Sequence, residues 1–298
     1  MLTSFFKTSK PIHFIITFLM VGFMLGYFVV HDPYLGWSLI WISFAAVGSI
    51  ALFQFTTLKN ELTQNNSYSL WIHSCLLVIG ALYSTSVEAF TAYLFFLLAL
   101  RRLLSMRTGL GLVKKIFDAS FWIAIAALFY SWTSLLILVI FISIILYASN
   151  NIKYWTVPFI AVSCVALLTF TFDQFIGTDY LIQVFKGFDY NFDYLTNEWS
   201  LSTIVSLIIG GVGFLFSMAI LLGFPNISLS ARSRFSILGF AGVCGAVFLV
   251  IEGVALFLLP VIAIFIARFI QETDNKIIKE SLLWIPFISM LILFFLRF

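Results

Sequence analysis

Two carboxylates stand beside long apolar runs, and they would face one cavity if the fold brings their turns together. Asp32, within His31-Asp32-Pro33, follows the first apolar run, and Glu88 lies between the third and the fourth. Such a pair binds a metal that carries a pyrophosphate, or one carboxylate takes the proton of a hydroxyl as a general base. We predict Asp32 as the catalytic base and Glu88 as the ligand of a metal or of a second hydroxyl. The alternative is that each acid precedes a helix and is stabilised by its dipole.

Glu252 is the acid most deeply embedded in apolar sequence. Ionisable groups inside a membrane are costly and often mark ion or substrate paths. If residues 235–269 form a re-entrant segment, Glu252 is a candidate coupling site of a transporter. If a Glu252-Gly253 turn instead joins two spans, the carboxylate lies at the outer surface.

The densest basic cluster follows the fourth apolar run and comprises Arg101, Arg102, Arg107, Lys114 and Lys115. A cluster of this kind binds anionic lipid headgroups or a phosphate. It also orients a chain in the membrane, because basic flanks are retained on the cytoplasmic side. We predict Arg101, Arg102 and Arg107 as lipid-binding residues and keep the anchoring role as the alternative.

The longest polar segment, residues 173–199, combines five acids with eight aromatic side chains. Aromatic rings stack on the apolar face of a sugar while carboxylates accept hydrogen bonds from its hydroxyls. Tyr190 and Trp199 are therefore candidate substrate contacts in an outer loop. The alternative is an interfacial segment whose Tyr and Trp side chains lie among lipid headgroups.

Part of that loop matches the opening of a calcium-binding loop. Asp189-x-Asn191-x-Asp193 presents oxygens at alternate positions, as such loops do. Tyr194 then stands where glycine is required, and Ser200 where the bidentate glutamate belongs. A divalent metal is the one cofactor that these residues suggest, and no metal ligand is assigned.

Long apolar runs must position all of these side chains. The chain is 62% hydrophobic and 10% charged, with a mean hydropathy of +1.10, whereas soluble domains are about a quarter charged. The net charge of +3 comes without a cluster of basic and aromatic residues, which argues against a nucleic-acid partner. We predict an all-α polytopic transmembrane bundle that forms a single membrane domain over residues 1–298.

The apolar runs predict about eleven spans, within limits of 10–12. Runs 80–104, 116–147 and 235–269 are each expected to be a pair of short helices or a re-entrant segment. One helix over the whole of 116–147 or of 235–269 would rise roughly 50 Å, beyond a hydrocarbon core of about 30 Å. The spans are placed at about 12–30, 37–56, 69–86, 88–105, 116–131, 133–148, 155–172, 200–222, 235–251, 253–270 and 281–297.

Charge orients these spans with the N-terminus in the cytoplasm. In that arrangement 14 of the 16 basic residues fall on the inner side, and only Lys186 and Arg297 fall outside. This is the distribution that the retention of basic residues in the cytoplasm requires. The acids expected on the outer side are Asp32, Glu88, Asp173, Asp179, Asp189, Asp193, Glu198 and Glu252.

Glycine spacing indicates where predicted spans pack closely. Glycines recur at 22–26, 210–213 and 239–245, all inside spans. Small residues at such spacings let membrane helices approach one another. A dinucleotide fingerprint would need a strand–turn–helix context, which the pattern here does not predict.

Residues 95–130 carry a family resemblance. Its marks are the helix end at 101–104, the Lys-x-x-Phe-Asp-Ala step at 114–119 and the Ala-x-Leu-Phe-Tyr ending at 126–130, with an opening at 3–7. In these features the chain resembles a family of bacterial polytopic inner-membrane proteins classed as a domain of unknown function. The resemblance implies a multi-pass protein of a Gram-negative inner membrane and implies no activity.

The order of three features is also similar to membrane glycosyltransferases that use polyprenyl-phosphate sugars. Those proteins carry an acid in the first outer loop, another between the third and fourth spans, and a basic inner turn afterwards. Asp32, Glu88 and residues 101–107 occupy these places in the same order. The resemblance implies a lipid-linked sugar as substrate.

We therefore predict an integral inner-membrane protein of envelope biogenesis that handles a lipid or a lipid-linked substrate at the outer leaflet. Membrane lipids are its expected partners. Two other classes stay open: a transporter with Glu252 as its coupling site, and a structural subunit. The subunit would use residues 173–199 to dock a periplasmic or membrane-complex partner.

Overall fold

The computed structural model describes residues 2–31, 36–83, 86–188, 200–223 and 228–297, where every regular element is helical. Short 3-10 segments follow α5, precede α7 and precede α12. The α-helices are α1 (Leu2–Phe5), α2 (Pro11–His31), α3 (Gly36–Lys59), α4 (Tyr68–Tyr83), α5 (Val87–Leu104), α6 (Leu112–Phe129), α7 (Ile137–Ala148), α8 (Ile152–Ile176), α9 (Tyr180–Lys186), α10 (Leu201–Leu221), α11 (Leu229–Glu252), α12 (Leu259–Glu272) and α13 (Lys276–Arg297).

Seven helical segments of the described chain are long and apolar enough to cross a membrane. Two further apolar helices, Pro11–Phe23 and α4, are shorter. The prediction of an all-helical, membrane-type bundle is confirmed in this coarse form. About eleven crossings and a cytoplasmic N-terminus stay predictions. The seven segments are Ile40–Lys59, Val87–Thr108, Ser131–Ala148, Ile152–Ile176, Leu201–Leu221, Ala231–Glu252 and Lys276–Arg297.

Each of the three long apolar runs is broken into two helices, between α4 and α5, α6 and α7, and α11 and α12. The Ser86 hydroxyl starts α5 by accepting a hydrogen bond from the Ala89 N–H at 3.1 Å. Tyr130 takes an extended conformation and ends α6. Gly253 ends α11 at a φ of 73°, a conformation that glycine adopts without steric cost.

Two short helices form the interior of the bundle. Nearly every residue of α4 is buried, as are most residues of α12. At 1.5 Å per residue they measure about 24 and 21 Å, less than the hydrocarbon thickness of about 30 Å. α4 contacts α2, α3, α12 and α13. The largely apolar α4 is stable because other helices cover it on all sides, and α12 lies at the centre because its apolar residues are buried in the same way.

Glycines hold α10 and α11 close to their neighbours. A Cβ added at Gly213 would lie 2.8 Å from the Leu258 Cβ, and one at Gly242 would overlap the Ser217 hydroxyl. The close approach predicted for 210–213 and 239–245 is confirmed. It is wrong for the 22–26 pair, where an added Cβ meets no described atom within 4 Å.

Replacing Gly213 with alanine will destabilise the protein, because its methyl group must displace Leu258 from a buried position. We expect Gly213→Ala to cost about 1–3 kcal/mol, seen as a lower melting temperature in mild detergent. Gly211→Ala is the control, since no atom of the described residues lies within 4 Å of a Cβ there. Equal melting temperatures for the two variants would contradict this packing.

Candidate functional site

Charged residues of the described chain collect at the two ends of the bundle. In α5, Glu88 lies in the first turn, and Arg101 and Arg102 lie in the last. The side of a membrane that each end faces stays a prediction. We call one end, with Lys59, Arg101, Arg102, Arg107, Arg234 and Arg268, the basic end, and the other, with Glu88, Asp173 and Glu252, the acidic end.

An apolar groove opens between α6, α7 and α8 in the acidic half of the bundle. Its volume of ≈ 440 Å³ falls within the usual range of ligand pockets. Ala124, Ala127 and Ala166 line it, and their small side chains leave space that larger residues would fill. Leu181, Val184 and Phe185 of α9 also line it, together with Phe188, which follows α9.

Polar contacts fix α9 over the groove. The buried Asp173 carboxylate accepts hydrogen bonds at 2.9 and 3.2 Å from two backbone N–H groups in the first turn of α9. The Tyr180 hydroxyl donates to the Leu128 carbonyl at 2.6 Å. The Ser131 hydroxyl donates to the Val184 carbonyl at 2.9 Å. These contacts tie α9 to α6, to α8 and to the segment before α7.

Glu252 lies beside the groove, connected to it by aromatic side chains. The carboxylate is half-buried at the end of α11 and interacts with the side chains of Tyr130 and Trp132. The Trp132 ring meets the Phe188 ring edge to face, with centroids 5.4 Å apart. Since Phe188 lines the groove, the carboxylate and an apolar surface lie within one aromatic cluster. The position of Glu252 next to a helix break agrees with the predicted turn at Glu252-Gly253.

The sequence pattern marks residues 130–132 only as the break between two predicted spans and does not assign Tyr130 and Trp132 to a site. The available signal was that this break and the Glu252-Gly253 break both fall in the predicted outer layer. The aromatic residues Tyr130 and Trp132 at one break are then expected at the same depth in the bundle as the Glu252 carboxylate at the other.

Glu88 lies exposed in the first turn of α5, where its carboxylate accepts a hydrogen bond from the Ser86 hydroxyl at 3.0 Å. This placement matches the helix-start alternative. Glu88 also lies within electrostatic reach of α9. Burial raises the pKa of the Tyr180 hydroxyl, and the carboxylates of Glu88 and Asp173 raise it further.

Several predicted residues fall outside the described residues. They are Asp32, Tyr190, Trp199 and the Asp189-x-Asn191-x-Asp193 motif. The pairing of Asp32 with Glu88 and the sugar contacts therefore stay predictions. Among the described residues, no group of three or more His, Cys, Asp or Glu side chains could hold a metal ion.

The start of the predicted outer loop, residues 173–199, is corrected by the structure. α8 continues to Ile176 and ends at Gly177, which has a φ of 75° and accepts the left-handed conformation without steric cost. Residues 180–186 then form α9. Asp173 is consequently a buried residue of a helix and holds the backbone of α9, rather than lying free in a loop.

The predicted lipid-binding arginines already have partners within the chain. Arg102 pairs with Asp118 at 2.8 Å. Arg107 donates to both carboxylate oxygens of Glu61, at 2.8 and 3.2 Å. Arg101 lies over an aromatic ring of α3, 5.6 Å from its centroid. These contacts join α3, α5 and α6 at the basic end, and lipid binding by the three arginines stays a prediction.

No family model, curated protein or solved structure matches the chain. The resemblance of residues 95–130 to a bacterial inner-membrane family therefore stays an expectation. The same holds for the resemblance to glycosyltransferases. The account of function rests on the chain's own geometry.

The ion pair between Glu61 and Arg107 predicts a pH-dependent stability. Hydrogen bonding to Arg107, and its charge, hold the pKa of Glu61 below its ordinary value. The ionised carboxylate therefore stabilises the fold at neutral pH, and this contribution is lost as pH falls through the lowered pKa. Glu61→Gln should melt below wild type at pH 7, and the difference should close in strong acid.

A double-mutant cycle supplies the control for this prediction. In an Arg107→Gln background, Glu61→Gln should add a much smaller effect at neutral pH, because the principal partner is already gone. A difference between wild type and Glu61→Gln that stays constant from pH 7 to pH 3 would contradict the assignment.

Proposed function

We propose that the protein binds the hydrocarbon part of a lipid or lipid-linked substrate in the groove between α6, α7 and α8. The polar head of that substrate would lie at Glu252, in the outer leaflet of a bacterial inner membrane, in the service of envelope biogenesis. The observation that carries the proposal is the continuity of the groove, through Phe188 and Trp132, with the Glu252 carboxylate.

The groove and its mouth would contribute differently to recognition. A lipid tail is surrounded by apolar groups both in the membrane and in the groove, so the hydrophobic effect does not favour its entry. The affinity for the tail must come from van der Waals packing against the groove. Discrimination between lipids must then come from the head. A carboxylate accepts hydrogen bonds from hydroxyl groups, and aromatic rings stack on sugars. Glu252 with Tyr130 and Trp132 therefore suits a hydroxyl-rich head, such as that of a lipid-linked sugar.

A transporter that uses Glu252 as its coupling site is the second candidate. It is favoured by a series of ring contacts from Tyr130 through Phe257 to Tyr93, with centroids 5.9 Å apart at each step. The Tyr93 hydroxyl lies 2.7 Å from the Nε2 of His73, which is wholly buried in α4. An ionisable group in the interior of a membrane bundle is a feature of ion paths.

Filling the groove tests the first candidate. Ala166→Phe places a large ring in the groove and should lower the occupancy of this groove by roughly tenfold, measured by native mass spectrometry as the loss of one bound lipid relative to wild type. Thr171→Phe is the matched control, on another face of α8 and exposed. A second apolar groove, of ≈ 460 Å³, lies between α4, α10, α12 and α13 and will hold lipid in both variants. Unchanged lipid binding in Ala166→Phe would contradict the proposal.

Neutralising Glu252 tests head recognition separately. Glu252→Gln should reduce capture of a photoactivatable glucosyl lipid by about three- to tenfold, while capture of the matching diacylglycerol stays unchanged. Asp274→Asn, exposed at the far end of the bundle, is the control. Equal loss of capture for both lipids would indicate that Glu252 stabilises the fold, and it would contradict a role of Glu252 in recognising the head.

A further inference from the structure

The basic end holds a separate pocket between the α3–α4 loop and α12. Its volume is ≈ 400 Å³, and it opens to the surface. Most of its lining side chains are polar, in contrast to the groove at the other end. The lining residues are Leu58, Glu61, Thr63, Gln64, Asn65 and Arg268.

The α3–α4 loop that forms one wall is held by residues distant in sequence. The buried Arg234 side chain donates to the Asn60 carbonyl. The Gln64 backbone N–H donates to the Gln271 side chain at 3.3 Å. Arg107 donates to the backbone carbonyl before the loop at 3.1 Å. The pocket wall is therefore formed before any ligand arrives, which lowers the entropy cost of binding.

Two groups in this pocket suit a hydrogen-bond acceptor. Thr63 is 6% exposed, and its hydroxyl has no hydrogen-bond partner within the described chain. A buried hydroxyl without a partner costs folding free energy, so its presence calls for a partner that the chain does not provide. Arg268 supplies a guanidinium group, which pairs with Glu272 at 3.3 Å and packs over the Phe235 ring.

The local charge balance favours an anion. The Glu61 carboxylate forms ion pairs with Arg107 at 2.8 Å and with Arg234 at 3.5 Å. The two carboxylates, Glu61 and Glu272, thus face three arginines, and the excess charge is positive. Guanidinium groups recognise phosphate in particular, since their planar donors match its oxygens.

We propose that this pocket binds a phosphate group through Arg268 and the Thr63 hydroxyl. The phosphate belongs either to an anionic lipid headgroup or to a soluble compound, and the recognising chemistry is the same in both cases. The proposed ligands of the phosphate do not include Arg101, Arg102 or Arg107, although Arg107 holds the pocket wall, and the site does not depend on the groove at the acidic end.

Thr63→Val tests the proposal with the least disturbance, because it changes a hydroxyl into a methyl group of similar size. Without ligand, this variant should be as stable as wild type or more stable, since an unpaired buried hydroxyl is removed. Its affinity for phosphatidylglycerol in phosphatidylcholine nanodiscs, or for inorganic phosphate in detergent, should fall about tenfold. Arg268→Gln should lower the same affinity by at least as much.

Lys153→Gln is the control, an exposed basic residue at the same end of the bundle, and it should change affinity by less than about twofold. Saturable binding to phosphatidylglycerol alone identifies a headgroup, and saturable binding to inorganic phosphate identifies a soluble source. Either result with the expected variants supports the site. Wild-type affinity in Thr63→Val, or equal losses in Arg268→Gln and Lys153→Gln, would overturn it.

Discussion

In the hydrocarbon core of a membrane, a chain satisfies its backbone N–H and C=O groups by forming helices. A helix can therefore be interrupted only where other protein groups or water form hydrogen bonds with the freed backbone groups. This constraint places two breaks of the described chain against each other at the acidic end. Tyr130, at the break after α6, stacks on Phe257, at the break after α11, with centroids 5.9 Å apart. Glu252, at the break after α11, interacts with the side chains of Tyr130 and Trp132 at the break after α6. The groove, its covering helix α9 and its neighbouring carboxylate all depend on this meeting of interrupted helices.

The two ends of the bundle offer different chemistry. At the acidic end, carboxylates and aromatic rings adjoin an apolar surface, a combination suited to a lipid with hydroxyl groups. At the basic end, arginines from the 3-10 segment after α5, from α11 and from α12 lie around the α3–α4 loop, beside a pocket whose lining side chains are mostly polar. The buried helices α4 and α12 contact each other and provide the rigid interior that both ends share. The two proposed ligands differ accordingly: a lipid with hydroxyl groups at the acidic end and a phosphate group at the basic end.

The sequence predicts the helices and their breaks well, because hydropathy and the length of a membrane helix decide both. The break at Gly253 follows from Glu252-Gly253 in an apolar run. α9 was missed because seven residues carry too little periodicity, and the helix depends on the Asp173 carboxylate eight residues before Leu181. The pocket at Thr63 was also missed. Its loop has the composition of an ordinary polar linker, and one of the contacts that hold it comes from Arg234, 174 residues from Asn60.

The central claim is that the acidic end binds a lipid with its tail between α6 and α8 and its head at Glu252. A cryo-EM map of the protein in nanodiscs made from native membrane lipids tests this claim most directly. The account predicts tubular density along Ala124, Ala127 and Ala166 that continues into head density within hydrogen-bonding distance of the Glu252 carboxylate. A groove closed by the side chains of α7 and α9, or density whose head lies toward the basic end, would contradict it.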